Sequence, residues 1–438
     1  MFTERNISIY DFVCALTEAV DLVFTNLNNH HKKVVSISFM IAKKMNLSNE
    51  EIQDIILASM LHDIGAFSNA DRAKLLKIDL FDDDINHHAM LGYKILKDFE
   101  PLEKVAVLIK YHHTSYDGSR NDIPIGSYII HLADRISIML DERREILKQV
   151  PELCAQMAPK RNKYHPQVFM SFISLAKTEA FWIEAFSPLL VTSMLDKIRF
   201  PKETMDLDTL RKFAKVFVNI IDYRSRFTAT HSSGVAAVAL ELAIIDGLSE
   251  EECKLMEVAG LLHDLGKLTV PNEILEKNGS LDAEEVLCIK KHTYYTYAIL
   301  SKIKDLEHIA SWAAHHHERM DGNGYPFHVK GENFSKFARI IAVADVVTAL
   351  SEDRPYRLGI STEKTLKILD SMTANGGIDK NIVTLVQNNF QRINDSRVKA
   401  QSEALKEYEA FRGEEKEMIK MMSSDISSDI FKTQNSVA

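Results

Sequence analysis

Apolar positions recur three and four residues apart along most of the chain, as in "VVSISFMIAKKM" (34–45) and "GVAAVALELAII" (234–245). Runs that alternate apolar and polar residues are scarce. A three-to-four spacing gathers apolar side chains on one face of an α-helix, so the pattern predicts an all-α protein. Helix starts are signalled twice in matching surroundings. Ser48 precedes Glu51 in "LSNEEIQDIILASMLHD", and Ser249 precedes Glu252 in "LSEEECKLMEVAGLLHD". A hydroxyl and a carboxylate three residues apart can each bond the other's backbone N–H and so open a helix. Both predicted helices run into a His-Asp pair.

The agreement between the two regions continues well beyond those helices. His30 lies 32 residues before His62, and His231 lies 32 before His263. His88 stands 24 residues before His112, and His292 stands 24 before His316. "YHHTSYDG" (111–118) matches "HHHERMDG" (315–322), and "SYIIHLAD" (127–134) matches "ARIIAVAD" (338–345). A period near 200 residues is too long for a solenoid repeat and describes a duplicated domain. The expected organisation is a first domain over 1–200 and a second over 205–395. Between them, "RFPKETMDLDT" interrupts the apolar pattern with Pro201 and several charges. Residues 396–438 read as a charged helix followed by a flexible tail.

Composition narrows the class. At 438 residues the chain suits two domains of roughly 150–200 residues, each able to bury a core. A formal net charge of −9 disfavours general binding to DNA or RNA polymers, so any nucleotide site has to be locally basic. Cys14, Cys154, Cys253 and Cys288 form no ligand-like spacing and read as thiols in a reducing compartment. No basic-then-apolar leader opens the sequence, and the most apolar stretch (181–195) is broken by Glu184 and Pro188. A cytoplasmic protein without a membrane segment is expected.

Candidate chemistry enters with the histidines. In the second copy His231, His263, Asp264, His292, His316, His317 and Asp345 are spread over separate segments, and each has a counterpart in the first: His30, His62, Asp63, His88, His112, His113 and Asp134. Those positions take ten of the chain's 17 histidines. Seven imidazole and carboxylate donors exceed the need of one four-coordinate zinc, and no thiolate is among them. Two divalent ions are expected, Fe or Mn foremost and Ni, Co or Zn as the other choices. Adjacent helical residues point about 100° apart. Asp264 is therefore expected to bridge two ions while His263 binds one, and such a pair can activate a shared water for attack on phosphorus.

The second copy resembles the HD-GYP family, cyclic-dinucleotide phosphodiesterases within the HD superfamily. The resemblance rests on "HDLGK" (263–267), "HHERMDGNGYP" (316–326) and "DVVTALSEDRPYR" (345–357). It implies tandem helical HD domains and hydrolysis of cyclic di-GMP or 3'3'-cyclic GMP-AMP to the linear dinucleotide. The seven residues of the second copy become the metal ligands. Asp264 and Lys267 become catalytic, with Lys267 on a scissile-phosphate oxygen, and Tyr325, Arg354 and Arg357 become substrate contacts. Ser225, Gly234, Thr296 and Thr348 depart from residues frequent in the family. Phe227 stands where members with three metals carry Glu, which favours a two-metal centre.

The first copy keeps all seven presumptive ligands as a second metal cage. It has Ala66 where Lys267 stands, no GYP, and no counterpart of the DRPYR segment. It is expected to be a degenerate HD domain with a regulatory or dimerising role. A homodimer or a separate signalling partner are both open. Two alternatives to the phosphodiesterase remain: a dinucleotide-responsive interaction protein that does not hydrolyse, and an HD phosphohydrolase for other nucleotides.

Overall fold

The computed structural model describes residues 5–23, 29–66, 86–195, 198, 200, 202–224, 228–277, 279–353 and 359–435. Helices dominate, as the apolar periodicity predicts. In chain order they are α1 (Ile9–Val23), α2 (His30–Lys44), α3 (Asn49–Leu61), α4 (Asn86–Leu96), α5 (Glu103–Lys110), α6 (Ile125–Met139) and α7 (Ile146–Met157). There follow α8 (Pro166–Leu175), α9 (Glu179–Ala185), α10 (Pro188–Leu195), α11 (Leu207–Arg224), α12 (Thr228–Ile245), α13 (Glu250–Leu262) and α14 (Asn272–Leu275). The last are α15 (Ala283–Leu300), α16 (Glu307–Ala314), α17 (Lys336–Ser351), α18 (Thr362–Ala374) and α19 (Lys380–Asn435).

One antiparallel ribbon, which the periodicity does not signal, pairs β1 (Arg5–Ser8) with β2 (Lys202–Met205). β2 falls in the segment where the sequence breaks its helical pattern. Four residues a side are too short to show a clear alternation. Among the described residues no helix is long and apolar enough to cross a membrane.

The chain forms two compact units that are not simple halves. Unit 1 holds Met1–Ile220 together with Asp264–Ala314, and unit 2 holds Ile221–His263 together with His315–Ala438. Within unit 1, α2 packs on α3 and α6, and α4 packs on α5. Phe12 of α1 sits fully buried against Phe99 and against Phe213 and Phe217 of α11, joining the first and last helices of the contiguous stretch. α1 also packs on the 3₁₀ turn Leu265–Thr269 and on α15, and Glu18 pairs with Lys302. Within unit 2, α12 is the central helix, covered by α13, α17 and the long α19.

Both capping boxes form. The Ser48 hydroxyl accepts the Glu51 N–H, and the Glu51 carboxylate accepts the Ser48 N–H. Ser249 and Glu252 do the same at the same distances. The helices so opened are each 13 residues long and end one residue before the candidate ligand histidine. His62 and His263 are therefore C-caps rather than mid-helix residues.

Candidate metal centres

All seven presumptive ligands of the first copy lie in unit 1 and come together. α2 supplies His30 at its first turn, the end of α3 supplies His62 and Asp63, and α4 supplies His88. His112 and His113 follow the end of α5, and α6 supplies Asp134. Two groups result. His30 Nε2 stands 3.3 Å from His62 Nε2 and 3.2 Å from Asp134 Oδ1. His88 Nε2 stands 3.3 Å from His112 Nε2 and 3.0 Å from His113 Nε2. Asp63 reaches both, with Oδ1 3.2 Å from His88 Nε2 and Oδ2 3.4 Å from His62 Nε2.

Backbone carbonyls set the ring tautomers. His62 Nδ1–H donates to the Ser59 carbonyl at 2.9 Å, and His112 Nδ1–H donates to the Ile109 carbonyl at 2.7 Å. Each ring then turns an Nε2 lone pair inward. Lone pairs and carboxylates facing each other out of water are costly unless a cation lies among them. Burial opposes a charge on His62, yet Asp63 and Asp134 outweigh it and push the imidazole up to about 9. The pocket thus calls for positive charge, and its buried nitrogen and oxygen donors fit divalent metal.

Several residues that carry no motif complete this pocket. Ser137, one turn after Asp134, bonds His30 Nδ1 at 3.0 Å. His31 is buried beside His62 and Asp63. His131 Nδ1–H donates to the His112 carbonyl at 3.0 Å. Arg135, only 2% exposed, sets its guanidinium 3.1 Å from Asp134 Oδ2 and 2.8 Å from His113 Nδ1. A charged residue in the apolar run "SYIIHLADRISIML" was the one available sign of it.

The second copy repeats these supports in each unit. In unit 2, His231 Nε2 lies 3.1 Å from Asp345 Oδ1, and the rings of His231, His263, His316 and His317 follow one another closely. His231 Nδ1 donates to the Glu352 carboxylate at 3.0 Å, and Glu352 also accepts from Gln401 Nε2 on α19 at 2.9 Å. Against its burial, Glu352 and Asp345 push His231 up to about 9. His263 Nδ1–H donates to the Gly260 carbonyl at 2.7 Å, as His62 does to Ser59. In unit 1, His292 Nδ1–H donates to the Ile289 carbonyl at 2.6 Å while its Nε2 lies 3.4 Å from Asp264 Oδ1. Lys267 Nζ rests on Asp264 Oδ2 at 2.5 Å. The counterpart Ala66 is buried and offers no charge.

Two glycines let each His-Asp turn lie against the helix that carries the next candidate ligand. A Cβ on Gly266 would stand 1.8 Å from the His292 carbonyl oxygen, and one on Gly65 would stand 2.1 Å from that of His88. Only glycine lets the second residue after the His-Asp pair approach the helix that brings the next candidate ligand. Gly234 has a similar use in unit 2, since a Cβ there would press on Gln401 and Thr348.

The loop carrying Tyr325 is held by Glu318. Its buried carboxylate accepts the Phe327 and Val329 N–H groups at 2.7 and 3.1 Å. Tyr325 donates its N–H to the His317 carbonyl at 3.2 Å and lays its ring beside His317. Gly322 adopts φ 78°, and Asp321 Oδ1 accepts the Asn323 N–H at 2.9 Å, which makes the turn that the glycines signal. Arg354 and Arg357, expected as substrate contacts, lie outside the described residues, as do Ser225 and Phe227.

The comparisons agree with this layout. Models of the HD domain match residues 28–139 and 215–382, one in each copy. The 3'3'-cGAMP-specific phosphodiesterase 1 of Vibrio cholerae serotype O1 is 29% identical over 89% of this chain and 93% of its own. The 3'3'-cGAMP-specific phosphodiesterase 3 of the same organism is 41% identical over 35% of this chain and 34% of its own. A crystal structure described as a cyclic GMP-AMP specific phosphodiesterase of V. cholerae covers 88% of this chain and 98% of its own, with a TM-score of 0.61 at 23% identity. That last likeness concerns the fold.

Proposed function

This chain belongs to the HD-domain family, with two of its domains in tandem, and from there we propose that it is a metal-dependent phosphodiesterase that opens cyclic dinucleotides, 3'3'-cyclic GMP-AMP or cyclic di-GMP, to the linear form. The single observation that carries the proposal is the pairing of a complete seven-residue donor set with Lys267 in the second copy alone. The likeness to a cGAMP-specific phosphodiesterase along nearly the whole chain supports the same substrate class.

His231, His263, Asp264, His292, His316, His317 and Asp345 would hold two divalent ions, Fe or Mn by the all-nitrogen-and-oxygen donor chemistry. When bound, such ions polarise the phosphoryl oxygens and make water a nucleophile near neutral pH. The protein's own part is to place charge and exclude motion. Glu352 and the Gly260 and Ile289 carbonyls hold three rings in one tautomer and orientation. The Lys267 ammonium, resting on Asp264, is free of any fork geometry and can turn to a phosphate oxygen as charge grows there. Tyr325, on its Glu318-braced loop, offers a ring face for a base, and Arg354 and Arg357 would bind phosphate or guanine edges.

The first domain, with Ala66 in place of the lysine, is assigned no hydrolysis and serves regulation or assembly. The test is a product assay on full-length protein loaded anaerobically with Mn or Fe. Linear dinucleotide should appear from at least one of the two substrates and disappear on His263→Ala. Saturable binding with no product would leave the non-hydrolytic alternative in its place, and faster release of phosphate from mononucleotides would favour the other.

A further inference from the structure

Arg135 has no counterpart in the second copy, where Val346 follows the matching aspartate. A guanidinium carries donors only. At 2.8 Å from Arg135 Nη2, His113 Nδ1 must therefore be the acceptor, and the neutral ring carries its proton on Nε2. That nitrogen faces His88 Nε2 at 3.0 Å and donates to it.

We propose that Arg135 converts His113 from a metal ligand into a hydrogen-bond donor, so that the first domain holds one tightly bound ion rather than two. The complete compartment is His30, His62, Asp134 and the inner oxygen of Asp63. The other keeps His112 and the second Asp63 oxygen, a two-donor remnant, because the His88 Nε2 lone pair is taken up by the His113 N–H. The guanidinium supplies fixed positive charge beside Asp134 Oδ2 in its place. Position in the fold explains why this cannot be seen from motifs: all seven candidate ligands are present, and the eighth residue changes what one of them can do.

The inference does not depend on hydrolysis by the second domain. The test counts metal per chain in full-length protein loaded with Mn and then passed over a chelating resin. Metal in the second domain adds the same amount to every variant below, so a failure of the phosphodiesterase proposal shifts all counts together. Wild type and His113→Ala should retain equal metal. His62→Ala should retain one ion fewer, and Arg135→Val one more. Adding His113→Ala to Arg135→Val should remove the ion gained, a coupling expected of two residues in one network. Loss of an ion in His113→Ala alone would overturn the proposal, because it would make His113 a ligand. Unchanged metal in His62→Ala would overturn it too. Should Arg135→Val fail to fold by circular dichroism, His113→Ala against His62→Ala still decides.

Discussion

Two side chains separate the copies more sharply than the ligands they share. Lys267 sits on the Asp264 carboxylate, whereas Asp63 in the first copy has Ala66 in that place and lies among histidines. Lys267→Ala is expected to lower kcat about 10²–10³-fold, the usual cost of one donor aimed at developing charge. Metal content, measured in parallel, should stay at the wild-type level. Glu352 acts one step further out, through the His231 ring. Glu352→Ala should weaken metal retention about 10–100-fold in a chelator competition. Gln401→Ala should follow in the same direction with a smaller change, since Gln401 reaches His231 only through one oxygen of that carboxylate.

The helices that end at His62 and His263 show how local chemistry sets the position of a ligand. Each begins at a serine cap and runs 13 residues, so the cap registers the histidine at the opposite end. Ser249→Ala removes one side of the box and should cost about 1 kcal/mol, read as a lower melting temperature. Ser249 bonds hold Glu252 below its ordinary 4.5, so the folded state favours the carboxylate. A lowered carboxyl pKa contributes stability above the unfolded value that is lost as pH falls. The gap between wild type and Ser249→Ala should therefore be widest above pH 4.5 and narrow in stronger acid, where the backbone cap to the hydroxyl remains. Melting curves across that range check it.

For the whole chain, the duplication suggests that the second domain could be cut out at residue 205 and studied alone. Unit 1 argues otherwise, because it gathers Asp264–Ala314 with residues 1–220. That segment carries Asp264, Lys267 and His292, and α1 packs on its 3₁₀ turn and on α15. A 205–438 fragment should consequently melt at a lower temperature than the full chain and retain fewer than the two ions proposed for the second copy. Equal melting with two ions retained would refute the point. The apolar surface of α1, with Cys14 buried enough to be pushed up to about 11, shows that this helix belongs to a core.

Much of this was legible in the residues as written. Apolar period, two Ser-x-x-Glu starts and a repeated set of His-Asp spacings led to tandem helical domains, because helix periodicity and capping act within a few residues of chain. Only the folded arrangement showed that Asp63 divides its oxygens between two groups, that Glu352 and Ser137 steady the first histidine of each copy, and that the Arg135 guanidinium meets His113 Nδ1. These depend on which hydrogen-bond donor meets which lone pair across helices far apart in sequence. No spacing encodes that, since donors and acceptors are matched by direction and distance after the helices have packed.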